Sequence, residues 1–142
     1  MKTSAAGIDL VTASEGLRLA AYQDTGGVWT IGYGHTGPDV TEGLTCDKAQ
    51  ARSWLAEDLA ESEDAVNELV EVELSQNQFD ALVDFVYNIG RGKFRGTTLL
   101  KLLNAGNYAA AAQQFKRWNK DNGVVQAGLT KRRAAEERLF LS

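Results

Sequence analysis

The sequence has very few of the residues on which redox and metal chemistry depend. Among its 142 residues there are one cysteine, one histidine and one proline. The single cysteine, Cys46, excludes an internal disulfide. His35 is not accompanied by cysteines or carboxylates at ligand spacing, so no metal site is expected. No window is apolar enough and long enough to span a bilayer, and we therefore expect no stable membrane insertion.

The N-terminus also lacks the pattern of a signal peptide. Lys2 supplies a positive charge, but Asp9 and Glu15 interrupt any apolar segment that follows it. We therefore expect synthesis in the cytoplasm. The charge is unevenly distributed, since residues 1–75 carry a net charge of −10 and residues 76–142 one of +6. Such a split can orient a protein on a polyanion, but solvated acidic and basic helices explain it equally well.

The order of the elements predicts an α+β fold. Residues 4–15 are typical of a short helix ended by Gly16. The segment 28–34 alternates as a strand, with Trp29 and Ile31 on one face, and a further short strand is predicted around 40–44. The face that carries Thr30 is otherwise glycine, which predicts an open groove floor with one hydroxyl on it.

The remainder of the sequence predicts helices. Thr45 is expected to cap a long helix with an apolar stripe. Ser75 and Gln78 form a capping box for a helix that ends at Gly90. A final helix is predicted over Lys131–Leu141. Strands and helices are thus segregated along the chain, as in an α+β architecture.

The sequence places two carboxyl groups, those of Glu15 and Asp24, in settings that favour opposite protonation states. Glu15 lies at the C-terminal end of a helix, where the helix dipole and apolar neighbours disfavour the ionised form, as a general acid requires. Asp24 lies in a glycine-flanked polar turn, which favours its ionised form. Each alone is unremarkable, since carboxylates are common at helix ends and in turns. Together they form the pattern of glycoside hydrolysis, and the Thr30 hydroxyl could hold a water near Asp24.

Three segments resemble the phage lysozyme family, the muramidase endolysins of glycoside hydrolase family twenty-four. The sharpest runs from Glu15 through Asp24 to Thr30 and the following Ile-Gly-Tyr-Gly-His-Thr, with the family's spacing and no gap. Residues 77–90 resemble its central helix, and residues 128–138 resemble its closing helix. The resemblance implies a lysozyme-like fold, with a small antiparallel sheet lobe and a helical C-terminal lobe joined by a long helix.

The resemblance also implies roles for individual residues. Glu15 would protonate the leaving oxygen, Asp24 would activate the attacking water, and Thr30 would place that water. An inverting reaction implies that the two carboxyls lie about 6.5–9.5 Å apart. Arg132 is similar to the arginine that pairs with the catalytic glutamate. Substrate binding is expected at Gly34, Tyr87, Asn88 and Arg132, and a structural, hydrogen-bonded role is expected for His35.

The predicted organisation is one domain over residues 1–142. The sheet lobe would occupy about 16–45, the connecting helix about 46–70 and the helical lobe about 71–142, with the helix of residues 4–15 packed on it. The expected activity is hydrolysis of the β-1,4 bond between N-acetylmuramic acid and N-acetylglucosamine, without metal or organic cofactor. The partner would be peptidoglycan glycan strands and not nucleic acid. We expect a monomer that acts in the periplasm after release.

Three alternatives are open at this point. A lytic transglycosylase would use one glutamate and give an anhydro product, which the spacing of Asp24 and Thr30 disfavours. A non-catalytic peptidoglycan-binding module could keep the fold, because a fold does not fix a function. Membrane disruption by the basic C-terminal helix is weakened by its interleaved acidic residues, Glu136 and Glu137.

Overall fold

The computed structural model describes all 142 residues and divides them into two compact units. One unit comprises residues 11–60, and the other comprises residues 1–10 and 61–142. The three-stranded sheet lies in the first unit, whereas most of the helices lie in the second. The α+β prediction is confirmed. The assignment of the whole chain to one domain with the predicted lobe boundaries stays a prediction.

The unit of residues 11–60 is built on an antiparallel sheet with the strand order β1-β2-β3. Helix α2 packs on β2 because Gly32 leaves room for it: a Cβ at Gly32 would lie 3.2 Å from the Cβ of Ala51. Asp47 caps α2 by accepting the Gln50 amide at 2.7 Å. The elements are α1 (Ala5–Glu15, which begins in the other unit), β1 (Arg18–Gln23), β2 (Trp29–Gly32), β3 (His35–Thr36) and α2 (Lys48–Asp58).

The predicted strands were wrong at two points. Strand β2 ends at Gly32 instead of continuing to Gly34, and the third strand is formed by His35–Thr36 instead of residues 40–44. Gly32 and Gly34 have φ values of 67° and 93°, in the left-handed region that glycine adopts readily. The chain therefore turns at Tyr33–Gly34 and returns beside β2. Just beyond the predicted segment, Thr45 forms an isolated bridge to Ala20 of β1.

The other unit is predominantly helical. Its central helix α4 starts with the predicted capping box, in which the Ser75 hydroxyl accepts the Gln78 amide and the Gln78 side chain accepts the Ser75 amide. It ends at Gly90, as predicted. The elements are α3 (Ala60–Leu69), α4 (Gln76–Ile89), α5 (Arg91–Arg95), α6 (Thr98–Asn104), α7 (Tyr108–Ala112), a 3-10 turn (Phe115–Arg117), β4 (Lys120–Asp121), β5 (Val124–Val125) and α8 (Ala127–Leu141).

Aromatic packing on α4 forms the centre of this unit. Phe85 is fully buried and makes edge-to-face contacts with Phe94, Phe115 and Trp118 at centroid distances of 6.3, 5.2 and 6.0 Å. Phe115 makes a similar contact with Phe140 of α8 at 5.6 Å. Such pairs stabilise a core beyond the area that they bury. They fix α8 and the end of α4 relative to each other, and both elements carry predicted site residues.

Two predicted helix boundaries were also wrong. The long helix predicted over about 46–70 consists of α2 and α3, separated by the buried residue Leu59. Leu59 keeps right-handed helical angles (φ −72°, ψ −15°), so the interruption is confined to one residue. Helix α8 begins at Ala127, four residues before the predicted start, and the Thr130 amide already bonds to the Gln126 carbonyl at 3.0 Å. Packing has outweighed the weak helix propensity of Gly128 and Thr130.

Candidate active site

Glu15 is the last residue of α1. The next residue, Gly16, has a φ of 69°, and its amide bonds to the Thr12 carbonyl at 3.3 Å, which ends the helix as predicted. The Glu15 side chain is half-buried. The Glu15 carboxyl therefore lies half-buried at the negative end of the α1 helix dipole.

Asp24 lies immediately after β1, in a turn organised by its own side chain. Its Oδ1 accepts the Gly26 amide at 2.8 Å and the Val28 amide at 2.9 Å. Its backbone amide bonds to the Val28 carbonyl at 2.9 Å, and its carbonyl accepts the Gly27 amide at 2.9 Å. The residue is exposed, and Oδ2 remains available to a water or a substrate. The two main-chain amide donors therefore fix the orientation of the Asp24 carboxyl group.

Thr30 lies on β2, opposite Tyr22. The register places Asp24 opposite Val28, so Asp24 and Thr30 are diagonal neighbours on one face of the strand pair. The predicted open floor was wrong, because Thr30 is only 5% exposed and Gly32 is covered by Ala51. The Thr30 hydroxyl donates to the Val28 carbonyl at 3.0 Å, which leaves its oxygen lone pairs as acceptors.

His35 has two carboxylate partners that the sequence did not reveal. Its Nδ1 lies 2.8 Å from Oδ2 of Asp58 and its Nε2 lies 3.0 Å from Oδ2 of Asp39, while its ring stacks on Trp54 at 4.7 Å. Both contacts are hydrogen bonds from the ring only when both nitrogens carry a proton. Burial lowers the pKa of His35, but the hydrogen bonds to Asp39 and Asp58 outweigh it and raise the pKa above 6.5. The hydrogen bond between His35 and Asp39 lowers the pKa of Asp39.

We expect the imidazole of His35 to titrate above pH 6.5, and we expect the Asp58→Asn substitution to lower that midpoint. The pKa is higher in the folded than in the unfolded chain, so the stabilisation is present below pH 6.5 and is lost as the pH rises through the folded value. Proton NMR can follow the titration directly, because the chain has one histidine. A midpoint at or below 6.5 in the parent protein would contradict this assignment.

The remaining candidate residues lie in the other unit. Tyr87 is half-buried and Asn88 is exposed near the end of α4, while Gly34 lies in the turn of the sheet unit. Arg132 is only 6% exposed and binds Asp84 of α4 through two hydrogen bonds, from Nε at 3.0 Å and from Nη2 at 2.7 Å. Asp84 was missed by the sequence analysis. Pairing of Arg132 with Glu15 stays a prediction.

The match to a known protein family covers most of the chain. Residues 12–136 match the family model described as phage lysozyme. The chain belongs to the phage lysozyme family. The resemblance inferred from the three sequence segments is therefore confirmed.

Individual members of the family show the same relationship. The chain is 46% identical over 144 residues to the endolysin of Bacillus phage B103, and it spans 55% of that protein's length. It resembles the crystal structure of a P22 lysozyme mutant with a TM-score of 0.94 and 44% identity, covering 100% of this chain and 99% of the other. The muramidase domain of SpmX from Asticaccaulis excentricus gives a TM-score of 0.94 and 43% identity, covering 99% and 98%. The lysozyme-like fold is thus confirmed.

A buried charge cluster lies in the helical unit of this phage lysozyme family member. Asp84, Arg133 and Glu136 are fully buried, and Nε of Arg133 lies 2.9 Å from Oε1 of Glu136. The contact has the distance of an ion pair but not the angle of a hydrogen bond. None of the helices combines the length and the apolar character that crossing a bilayer requires.

The two carboxyls of this cluster have opposite protonation preferences. Burial, together with a hydrogen bond to Asp84 and its negative charge, raises the pKa of Glu136 well above its ordinary value. Burial also opposes ionisation of Asp84, but hydrogen bonds from Glu136 and Arg132 outweigh it and lower its pKa. A carboxylate at position 136 would lack a hydrogen bond, whereas a protonated Glu136 can donate one to Asp84. The cluster therefore favours ionised Asp84 beside neutral Glu136.

Proposed function

We propose that this chain is an endolysin domain that hydrolyses the β-1,4 bond between N-acetylmuramic acid and N-acetylglucosamine of peptidoglycan, with inversion at the anomeric carbon. The proposal is carried by the contrast between Glu15, half-buried at a helix end, and Asp24, exposed and bound to two amides. Two carboxyls in contrasting settings, one half-buried and one exposed, are the arrangement that acid–base glycoside hydrolysis uses. Family membership and the relatives named as endolysins support it.

The reaction then proceeds in one displacement. Glu15 transfers its proton to the glycosidic oxygen as the bond from that oxygen to the anomeric carbon breaks. A water attacks the anomeric carbon from the opposite face and transfers a proton to Oδ2 of Asp24. The new carbon–oxygen bond gives a reducing N-acetylmuramic acid end of inverted configuration. Asp24 then releases one proton to solvent and Glu15 takes one up, which restores both groups before the next turnover.

Thr30 orients the attacking water in this scheme. Its hydroxyl proton is engaged with the Val28 carbonyl, so its oxygen acts as an acceptor. A water that donates one hydrogen to Thr30 and the other to Asp24 directs an oxygen lone pair away from both side chains and toward the sugar. Gly34, Tyr87, Asn88 and Arg132 are proposed to contact the glycan strand.

We expect hydrolysis in oxygen-18 water to label only the new reducing end, and proton NMR of the first product to show the α anomer before mutarotation. The reason is that water, not a sugar hydroxyl or an enzyme carboxylate, attacks the β-linked carbon. Mass spectrometry of the released muropeptides measures the label. A 1,6-anhydro product would instead identify a lytic transglycosylase, and a β anomer would identify a retaining mechanism.

The protein is proposed to act on the wall as a monomer without nucleic acid. Membrane disruption by the C-terminal helix is disfavoured, because Arg132 and Arg133 of α8 are buried and engaged with α4. These basic groups would have to leave the folded protein to reach a lipid surface.

A further inference from the structure

Arg133 is the largest fully buried side chain of the protein, and one end of it reaches the surface residue Asn88. Its Nη2 donates to Oδ1 of Asn88 at 2.6 Å. The guanidinium also lies over the Phe85 ring, with Cζ 5.0 Å from the centroid. Burial lowers the pKa of Arg133, which reflects the cost of placing this charge inside the protein.

The buried guanidinium of Arg133 does not have a full set of hydrogen-bond partners within the core. Nη1 forms no hydrogen bond, and the nearby carboxyl of Glu136 favours its protonated form. Asp84 is occupied by the two hydrogen bonds from Arg132. Apolar side chains often replace buried ion pairs without loss of stability, so folding alone does not account for an arginine here. Its one well-formed hydrogen bond is to Asn88.

The contact fixes which way the Asn88 amide faces. Arginine has only donors, so only the carbonyl oxygen of Asn88 can face it. The NH₂ group of Asn88 forms no hydrogen bond within the protein and is left as a donor. Asn88 lines a pocket of about 490 Å³ whose wall also includes Trp118 and Gln126. An amide donor beside an aromatic ring suits a carbonyl acceptor on a sugar.

We propose that Arg133 is a positioning residue that holds the Asn88 amide with its NH₂ toward the pocket, where it donates to the acetamido carbonyl of an N-acetylated sugar. The proposal rests on the proposed glycan substrate and names a specificity element for it. Arg133 does not touch the sugar in this arrangement. It excludes the rotated amide, which would present a carbonyl oxygen and repel an acceptor.

The test is a double-mutant cycle read out by binding of a chitooligosaccharide, an N-acetylglucosamine oligomer. The Arg133→Met substitution is made in a Glu136→Gln background, so that no buried carboxyl is left facing an apolar side chain. We expect Glu136→Gln alone to bind like the parent, and Arg133→Met to weaken the Kd about three- to tenfold, as for loss of one hydrogen bond. In an Asn88→Ala background, the same Arg133 change should have no further effect on the Kd.

Two further variants keep the test independent of folding and catalysis. Arg133→Lys keeps the charge but loses the fork geometry, so it should also weaken binding. Asn88→Asp keeps the acceptor for Arg133 but loses the donor to the sugar, so it should weaken binding as well. The Asn88 side-chain NH₂ signals in an NMR spectrum should shift with the oligosaccharide in the parent and not in Arg133→Lys. An equal effect of the Arg133 change in both Asn88 backgrounds, or no effect in either, would overturn the proposal. If the protein shows this binding pattern but does not hydrolyse peptidoglycan, the proposed catalytic function is refuted and the role of Arg133 in binding is not.

Discussion

The Glu15→Gln protein is expected to lose about a hundredfold to ten-thousandfold in the rate of peptidoglycan hydrolysis, the usual contribution of a general acid. Glutamine has the shape and polarity of glutamic acid but no proton to transfer to the leaving oxygen. Glu15 is half-buried at the end of α1, where Gly16 fixes the helix terminus, so the substitution leaves the backbone in place. Clearing of permeabilised Gram-negative cells, followed as turbidity, measures the rate.

A matched control for this experiment is Glu57→Gln, which removes an exposed carboxyl from α2 in the same unit. It changes the net charge by the same amount and should clear cells like the parent. Binding of a chitooligosaccharide should be similar in all three proteins, because the acid acts on the transition state. Equal clearing by Glu15→Gln and the parent would leave a non-catalytic wall-binding module as the correct description.

The second large effect is expected on stability. Asp84→Asn should lower the free energy of unfolding by about 3–5 kcal/mol, the usual cost of removing one partner of a buried ion pair. Asp84 is completely buried and accepts both hydrogen bonds of the Arg132 fork. Asparagine keeps the shape but removes the buried negative charge that faces both nitrogens of the Arg132 fork. For a chain of this size, the Tm should fall by about 10 °C or more.

Thermal denaturation with two comparison variants separates this effect from a general loss of charge. Asp121→Asn alters an exposed carboxylate of β4 and should change stability by less than about 0.5 kcal/mol. Glu136→Gln should also be tolerated, because the cluster already favours a neutral group at that position. A Tm for Asp84→Asn that equals that of Asp121→Asn would show that Arg132 does not depend on this carboxylate.

Local signals in the sequence were sufficient wherever one residue type dictates the backbone. The Gly16 and Gly90 helix ends and the Ser75–Gln78 capping box were all predicted, because each depends on residues adjacent in the chain. The ends of the strands were less predictable. A glycine inside an alternating segment is compatible with a strand or with a left-handed turn, and the packing of Ala51 against Gly32 decides between them.

The candidate site shows the same division. The settings of Glu15 and Asp24, a helix end and a turn, could be predicted because they are local, whereas the catalytic roles of the two residues stay predictions. His35, Arg132 and Arg133 each have a partner far away in the sequence, at 23, 48 and 45 residues, so the sequence could not assign these contacts without the fold. Asp84 did leave a signal, since it is a charged residue inside the apolar run of α4, which requires a buried partner.

The turn that holds Asp24 determines how the sequence of this loop can vary. Both donors to its carboxylate are main-chain amides, from Gly26 and Val28, so most side-chain replacements at these positions leave the donors intact. A proline at position 26 or 28 would remove one of the two amide donors. An inserted or deleted residue in the loop would shift both donors. The orientation of the Asp24 carboxyl, the proposed base, is thus encoded in loop length, and the sequence of the loop can vary extensively while the spacing stays constant.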